Sequence, residues 1–234
     1  MEMLKIAALT VMVASPLFLT GCPNDNDDDD SVVTRVMYEV ELTNLTAAQP
    51  MSPMAVVLHG GGYKMWTVGT SASNGLEQLA ESGDNTEVLA EAAGENGTTM
   101  SGGGIITPGA SESVTIEADG VGNLALSLAT MLVNTNDAYT GVDSKLLSDM
   151  SLDETRTMVL IAYDAGTEAN SELASTIPGP AAGGEGFNAT RDDRDSVGGH
   201  PGVVTHDDGL NSSALGEEHR FDNPVARVTI TRLQ

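Results

Sequence analysis

Short segments in which apolar and polar residues alternate run through most of this chain. In the segment 35–46, RVMYEVELTNLT, every second residue from Val36 to Leu42 is apolar. A period of two is the pattern of a strand with one buried face. Clusters of Gly, Pro, Asn or Asp separate this segment from five further candidate strands, at 55–59, 113–118, 124–133, 157–163 and 225–233. The chain is therefore predicted to be all-β.

The order of these segments favours an antiparallel β-sandwich with short helical insertions. A doubly wound sheet needs strands and helices that alternate along the chain, and the sequence has no long run of that kind. Two short helices are predicted within 75–94, where apolar residues recur at helical spacing on either side of Ser82 and Gly83. Residues 178–224 are rich in Gly and charged residues, which indicates one long ordered loop or a partly disordered excursion.

The charge balance excludes two classes of partner. The chain has 34 acidic and 10 basic residues, a net charge of -24, so phosphate backbones and anionic lipid surfaces would repel it. We therefore expect no nucleic-acid partner. The single cysteine, Cys22, excludes an intrachain disulfide framework and a zinc site built from several thiolates. A length of 234 residues predicts one folded domain.

The N-terminal segment has the features of an export signal. Residues 6–19 are mostly apolar but too few to span a bilayer. The sequence Leu19-Thr20-Gly21-Cys22 resembles the lipobox of bacterial lipoproteins, in which the cysteine is acylated and becomes the new N-terminus. This resemblance implies a lipoprotein signal peptide at 1–21 and a lipid anchor at Cys22. A buried or free cysteine behind an ordinary signal peptide is the alternative.

An acidic tether is predicted to follow the lipid anchor, at 22–34. Its run of Asn and Asp residues has no apolar side chain to bury, and like charges extend such a chain. Counted from Asp25, the spacing superficially suggests a calcium loop. An EF-hand would require Gly at position six and Glu at position twelve, where this chain has Asp30 and Val36. The tether interpretation is therefore favoured, and the folded domain is assigned to 35–234.

Five segments, in order, resemble the spondin domain, the N-terminal module of F-spondin and mindin that also occurs in exported bacterial proteins. They are YEVELTNLTAAQPMSPMAVVLH at 38–59, AESGD at 80–84, SLATMLVNTNDAYTGV at 127–142, YDAGTEANSE at 163–172, and the closing PVARVTIT. The resemblance covers roughly residues 35–232. It implies a C2-like β-sandwich that binds calcium at loops on one end, serves adhesion or recognition, and has no catalytic role.

The resemblance also implies a set of calcium ligands. The matching acidic positions are Asp137, in NTNDAY, and Asp164 and Glu168, in DAGTE. The chain departs from the family pattern at Asn136, where the family has Pro, at Tyr163, where it has Trp, and at Glu168, where it has Asp. The longer glutamate still offers an oxygen ligand but changes the geometry.

Elementary chemistry is compatible with these ligands. Calcium takes six to eight oxygen ligands, which carboxylates and loop carbonyls supply. Asp137 and Asp164 each follow an apolar strand, so both loops lie at one end of the sandwich if the two strands run in the same direction. Gly166 would then let the chain turn so that Glu168 returns to the site. The alternative is that these residues satisfy their own turns.

Two rival sites are suggested by other residues. The segment His59-Gly60-Gly61-Gly62 imitates the oxyanion loop of lipases and esterases, but the sequence lacks the Gly-x-Ser-x-Gly elbow, and 69–73 comes nearest. The four histidines, His59, His200, His206 and His219, are interpreted as exposed loop residues rather than metal ligands. Trp66 and Tyr63 are interpreted as packing residues rather than a sugar-stacking surface.

Together these observations predict a non-catalytic, lipid-anchored, calcium-binding recognition or adhesion module, exported to the bacterial outer membrane or cell surface. Calcium is expected to be structural. The expected partner is an extracellular or envelope protein or glycan, and the membrane is contacted only through the anchor at Cys22. The alternatives are a secreted ester hydrolase that uses the His59 loop and a metal-free structural envelope protein.

Overall fold

The computed structural model describes residues 34–120 and 122–234, and these contain ten β-strands and two α-helices. The helices are α1 (Asn74–Ser82) and α2 (Thr86–Gly94). The strands are β1 (Arg35–Asn44), β2 (Ala55–His59), β3 (Thr98–Ser101), β4 (Ser111–Asp119), β5 (Ala125–Met131), β6 (Ala138–Leu146), β7 (Thr155–Leu160), β8 (Ala162–Asp164), β9 (Gly198–Gly199) and β10 (Ala226–Arg232). The predicted signal peptide, Cys22 and all of the predicted tether except Thr34 lie outside the described residues.

The strands form two sheets. One has four strands in the order β4-β1-β10-β7, and the other has six in the order β3-β2-β5-β6-β8-β9. All the strand pairs within both sheets are antiparallel. The predicted all-β antiparallel sandwich with short helical insertions is therefore confirmed.

The main core lies between the two sheets. Strand β1 alternates as predicted, with Val36, Tyr38, Val40 and Leu42 buried, while Glu39 on the opposite face is exposed. The facing sheet contributes apolar residues of β2 and β5 to the same cluster, including Val56, Leu58, Leu126 and Leu128. Removal of this apolar surface from water is the main contribution to the stability of the sandwich.

A second apolar layer covers the other face of the six-stranded sheet. Every residue of β5 is buried because the helices pack against the face that points away from the main core. Helix α1 begins after Ser73, whose hydroxyl accepts the Leu76 N–H, and it ends at Gly83, which has a left-handed φ of 74°. Both predicted helices are thus confirmed, and the break between them lies at Gly83.

Several predicted boundaries were wrong. Strands β3, β6 and β9 were not predicted, and the predicted strand 157–163 is divided into β7 and β8, which belong to different sheets. Residues 178–224 form a long loop whose regular structure is limited to β9 and two 3-10 turns, His206–Asp208 and Glu217–His219. Among the described residues, no helix is both long and apolar enough to cross a membrane.

Candidate functional site

Two of the predicted acidic residues lie at the same end of the six-stranded sheet. Strands β5 and β8 both pair antiparallel with β6, so they run in the same direction. Asp137 ends the turn that follows β5, and Asp164 is the last residue of β8. Ala138, the residue after Asp137, is paired with Asp164 in the sheet register. The condition that the sequence left open, strands in the same direction, is therefore met.

The loop after β8 folds back onto Asp137. Gly166 has a left-handed φ of 72°, which turns the chain directly after Asp164. The backbone N–H groups of Thr167 and Glu168 then donate to Asp137 Oδ2, at 2.8 and 3.2 Å. The structure thus brings the backbone of Glu168 into contact with Asp137.

Among the residues that the structure describes, three buried carboxylate oxygens at this end have no hydrogen-bond partner. They are Asp137 Oδ1, Glu168 Oε2 and Glu81 Oε1. The exposed fractions of these residues are 0% for Asp137, 6% for Glu168 and 1% for Glu81. A buried acceptor left unpaired costs free energy, and more so when it is charged. These oxygens are suited to a cation that supplies the missing interaction.

The charges of these carboxylates act on one another. Burial, with a smaller contribution from the nearby negative charge of Asp164, raises the pKa of Asp137 to about 7. Burial and, to a lesser extent, the negative charge of Glu81 together raise the pKa of Glu168 to about 8. The pKa of Glu81 is also raised, again mainly by burial. A bound divalent cation would offset this mutual repulsion.

Glu81 was not singled out by the sequence analysis. It lies in the last turn of α1 and is not one of the apolar residues that mark the helix. Its burial comes from the chain that crosses over it, where the Asn188 N–H donates to Glu81 Oε2 at 2.8 Å. The available signal was the AESGD motif, which contains Glu81 and was used only to support the family resemblance.

Asp164 differs from the other acids because both its oxygens have partners. Asp164 Oδ1 accepts the Gly166 N–H at 2.8 Å and forms an ion pair with Arg194 at 3.1 Å. Asp164 Oδ2 accepts the side-chain amide of Asn170 at 2.8 Å. The ring Nε2 of His200 lies 3.1 Å from Asn170 Oδ1, which orients that amide. Asp164 is thus buried and close to Asp137, but already neutralised by Arg194.

In the part of the chain that the structure describes, no three or more His, Cys, Asp or Glu side chains already form a group that could hold a metal ion. Binding of a cation at this end would therefore require the carboxylates of Asp137, Glu168 and Glu81 to move toward a common point. Their unpaired oxygens fit calcium chemically, since calcium accepts carboxylate and carbonyl oxygens in flexible geometry.

Comparison with known protein families identifies the domain. A family model described as Spondin_N matches residues 44–179, more than half of the chain. The chain belongs to the spondin N-terminal domain family. The matched region includes Glu81, Asp137, Asp164 and Glu168. A comparison with curated proteins finds no match. Spondin domains are typically extracellular, and the family indicates a recognition or adhesion type of module.

A second buried polar cluster lies around His59, at the far end of β2 in this spondin domain. His59 Nε2 lies 2.9 Å from Ser127 Oγ, which donates to Asp143 Oδ1 at 2.9 Å and accepts the Ser144 N–H at 2.9 Å. His59 Nδ1 lies 2.7 Å from the Gly60 carbonyl oxygen. The sequence did not predict this cluster, because Ser127 and Asp143 come from β5 and β6, far along the chain.

The cluster contains the residue types of a hydrolase in a different arrangement. In a Ser-His-Asp triad the carboxylate orients the histidine, whereas here Asp143 binds the serine. Ser127 is fully buried, and its hydroxyl already has three partners. This geometry is that of a structural network which joins the end of β2 to β5 and β6.

The other aromatic and histidine predictions have mixed outcomes. Trp66 is 8% exposed, with its ring centroid 5.2 Å from that of Tyr139, so the packing interpretation is confirmed. The expectation that the histidines are exposed was wrong for His59 and His200, which are 2% and 6% exposed. Burial lowers the pKa of His200 to about 4. His59 is the last residue of β2 and is followed by glycines, and His200 follows the two glycines of β9, so the sequence suggested loop positions for both.

Proposed function

We propose that this spondin domain is an exported, lipid-anchored recognition module of the bacterial cell envelope, without catalytic activity, that binds calcium at one end of its sandwich. The observation that carries the calcium proposal is the set of three buried, unpartnered carboxylate oxygens on Asp137, Glu168 and Glu81. Burial of unpaired acceptors is costly, and a cation that drew these three oxygens toward a common point would offset that cost.

Asp137, Glu168 and Glu81 would hold the ion, and Asp164 would join them if Arg194 releases it. Bound calcium would supply two positive charges that offset the repulsion among these carboxylates, which lie on α1, the turn after β5 and the loop after β8. Magnesium is a poorer fit, because it demands a tighter octahedral geometry and keeps its own water molecules.

The recognition role is supported by family membership, and the partner would be an extracellular or envelope protein or glycan. Calcium would hold the loops at this end of the sandwich in a fixed arrangement. Binding residues are commonly found on loops that a rigid scaffold positions in this way. The lipid anchor rests on Leu19-Thr20-Gly21-Cys22, and the acidic segment behind it would hold the domain away from the membrane.

Thermal unfolding of the purified protein in calcium, in magnesium and in chelator tests the calcium proposal. Calcium at a hundredfold excess over its Kd should stabilise the fold by about 2.7 kcal/mol, seen as a rise in Tm. The rise should be smaller in magnesium, and Asp137→Asn, Glu168→Gln and Glu81→Gln should each reduce it.

Glu172→Gln is the matched control. Glu172 is also a buried glutamate with an unpartnered oxygen, but its raised pKa comes from burial rather than from a neighbouring carboxylate. This variant should keep the full calcium-dependent rise in Tm. Equal Tm values for the wild-type protein in calcium and in chelator would contradict the calcium proposal.

An ester hydrolase is the alternative with a specific observation in its favour, the contact between His59 and Ser127. The burial of Ser127 argues against it, because a substrate carbonyl must reach the hydroxyl. We expect no turnover of short-chain nitrophenyl esters. Turnover that disappears in both Ser127→Ala and His59→Ala, with the fold intact, would favour the hydrolase instead.

A further inference from the structure

Residues 188–197 form a segment, here called the strap, that crosses the end of the sandwich with Asp137, Glu168 and Glu81. This end is called the carboxylate end below. At its start the Asn188 N–H donates to Glu81 Oε2 at 2.8 Å, and near its end the Asp195 N–H donates to the Gly166 carbonyl oxygen at 2.7 Å. The strap therefore contacts both the helix and the loop that carry the candidate ligands.

The strap carries two arginines with different partners. Arg191 donates to both carboxylate oxygens of Glu77, at 3.0 and 2.7 Å, and also pairs with Asp195, so its charge is used to fasten the strap to α1. Arg194 instead pairs with Asp164, the one predicted calcium ligand whose oxygens are both engaged. The positive charge of Arg194 thus offsets the negative charge of Asp164, which a bound cation would need.

The geometry points to Arg194 as the residue that sets the cation affinity of this site, because its guanidinium competes with the bound ion for Asp164. This inference rests on the proposed calcium function. The Asp164 side chain is 2% exposed, whereas that of Arg194 is 47% exposed. The arginine can therefore move into solvent by giving up its contacts with Asp164 and with the Ser196 carbonyl oxygen, to which its Nε–H donates at 2.9 Å. The carboxylate stays in place, held by Gly166 and Asn170.

Competition has a definite electrostatic consequence. With Arg194 in place, the charge of Asp164 is offset, and an entering divalent cation must either displace the guanidinium or bind beside a like charge. Without the guanidinium, Asp164 contributes its full charge to the site. The domain would then bind calcium more tightly, and the metal-free form would be less stable because Asp164 and Asp137 repel each other.

Isothermal titration of the purified protein with calcium alone tests this inference. Arg194→Gln should tighten calcium binding by roughly tenfold or more, since one opposing charge next to a divalent ion is removed. Arg194→Lys should stay close to wild type, because it keeps a positive charge there. Arg220→Gln is the control for net charge, since Arg220 pairs with Asp208 and Glu217.

A double-mutant cycle separates competition for Asp164 from other effects of the arginine. If Arg194 acts through Asp164, the gain in affinity from Arg194→Gln should disappear in the Asp164→Asn background. An equal gain in both backgrounds would overturn the inference, because Arg194 would then act on the ion without competing for that carboxylate. The Tm of each variant in chelator checks that the fold is retained.

The outcomes distinguish this inference from the function on which it rests. Calcium binding by the wild-type protein with no tightening in Arg194→Gln would overturn the competition and leave the calcium function standing. Binding by Arg194→Gln alone would support the competition, with the arginine strong enough to block the wild-type site. If neither protein binds calcium, both the proposed function and this inference are wrong.

Discussion

At the scale of single residues, the environment of an acidic side chain, rather than the sequence around it, decides whether it is a candidate ligand. Asp137 and Glu168 were predicted by family resemblance, and the structure places both at the carboxylate end with an unpaired oxygen. Glu81 has the same properties but was missed, because a glutamate late in a short helix usually faces solvent. Its burial depends on residue 188, more than a hundred positions later, and no local pattern encodes that contact.

Glu172 gives a prediction at this scale that is independent of calcium. Glu172 is 1% exposed, its Oε2 has no hydrogen-bond partner within the described part of the chain, and burial raises its pKa above the ordinary value. An acid whose pKa is raised by folding destabilises the fold progressively as pH rises above its unfolded pKa, because the folded state resists its ionisation. Glu172→Gln removes that cost and keeps an acceptor for the Val204 N–H.

We therefore expect Glu172→Gln to match the wild type near pH 4 and to be more stable at pH 8, by about 1–3 kcal/mol, the usual cost of an unsatisfied buried group. Chemical denaturation at both pH values, in chelator, measures the difference. A gain of the same size at pH 4 and pH 8 would attribute the effect to packing and contradict the charge explanation.

At the scale of elements, the sequence predicted strands that are marked by alternation or by a continuous apolar run, and it missed strands that have neither signal. Strand β1 has one buried face, and its period of two is visible in the sequence. Strand β6 is buried along its first four residues and partly buried along the next four, so no alternation marks it. Two-residue β9 exists only because it pairs with β8, and its glycines carry no strand signal of their own.

The turn after β8 is the element on which the candidate site most depends. Gly166 is left-handed, and a Cβ at this position would lie 2.5 Å from the Ser196 carbonyl oxygen. Gly166→Ala combines backbone strain with a collision against the strap, so we expect a loss of stability larger than the roughly 1–2 kcal/mol of left-handed strain alone. It should also weaken calcium binding, because Glu168 follows this turn.

Gly183→Ala is the matched control for this turn. Gly183 has the same φ of 72°, but a Cβ there would meet no atom within 4 Å. It should show the strain alone and leave calcium binding unchanged. Denaturation and calcium titration of both variants make the comparison, and equal losses of stability would show that the strap does not press on Gly166.

At the scale of the whole molecule, the sandwich was predictable and the site was only partly so. Turn-bounded strands, two short helices and aliphatic composition lead to one sandwich core, because few other arrangements bury those faces. The site combines α1, the turn after β5, the loop after β8 and the strap at 188–197. Sequence motifs indicated the turn after β5 and the loop after β8. Helix α1 was predicted as a helix but not as part of the site, and the strap lies in a glycine-rich and charged segment without periodicity, so the sequence did not predict the contacts of either one with the site.

The net charge of -24 also limits the ways in which the protein can associate with a membrane. Anionic lipid repels such a surface, so under the proposed lipid anchor membrane association would come from acyl chains on Cys22 rather than from adsorption. We expect the wild-type protein, expressed in a bacterial host, to remain with membranes through a high-salt wash and to enter the detergent phase on partitioning. Cys22→Ala should move it to the aqueous phase with the domain still folded. A variant that stays with the membrane, or a wild-type protein found in the aqueous phase, would contradict the anchor.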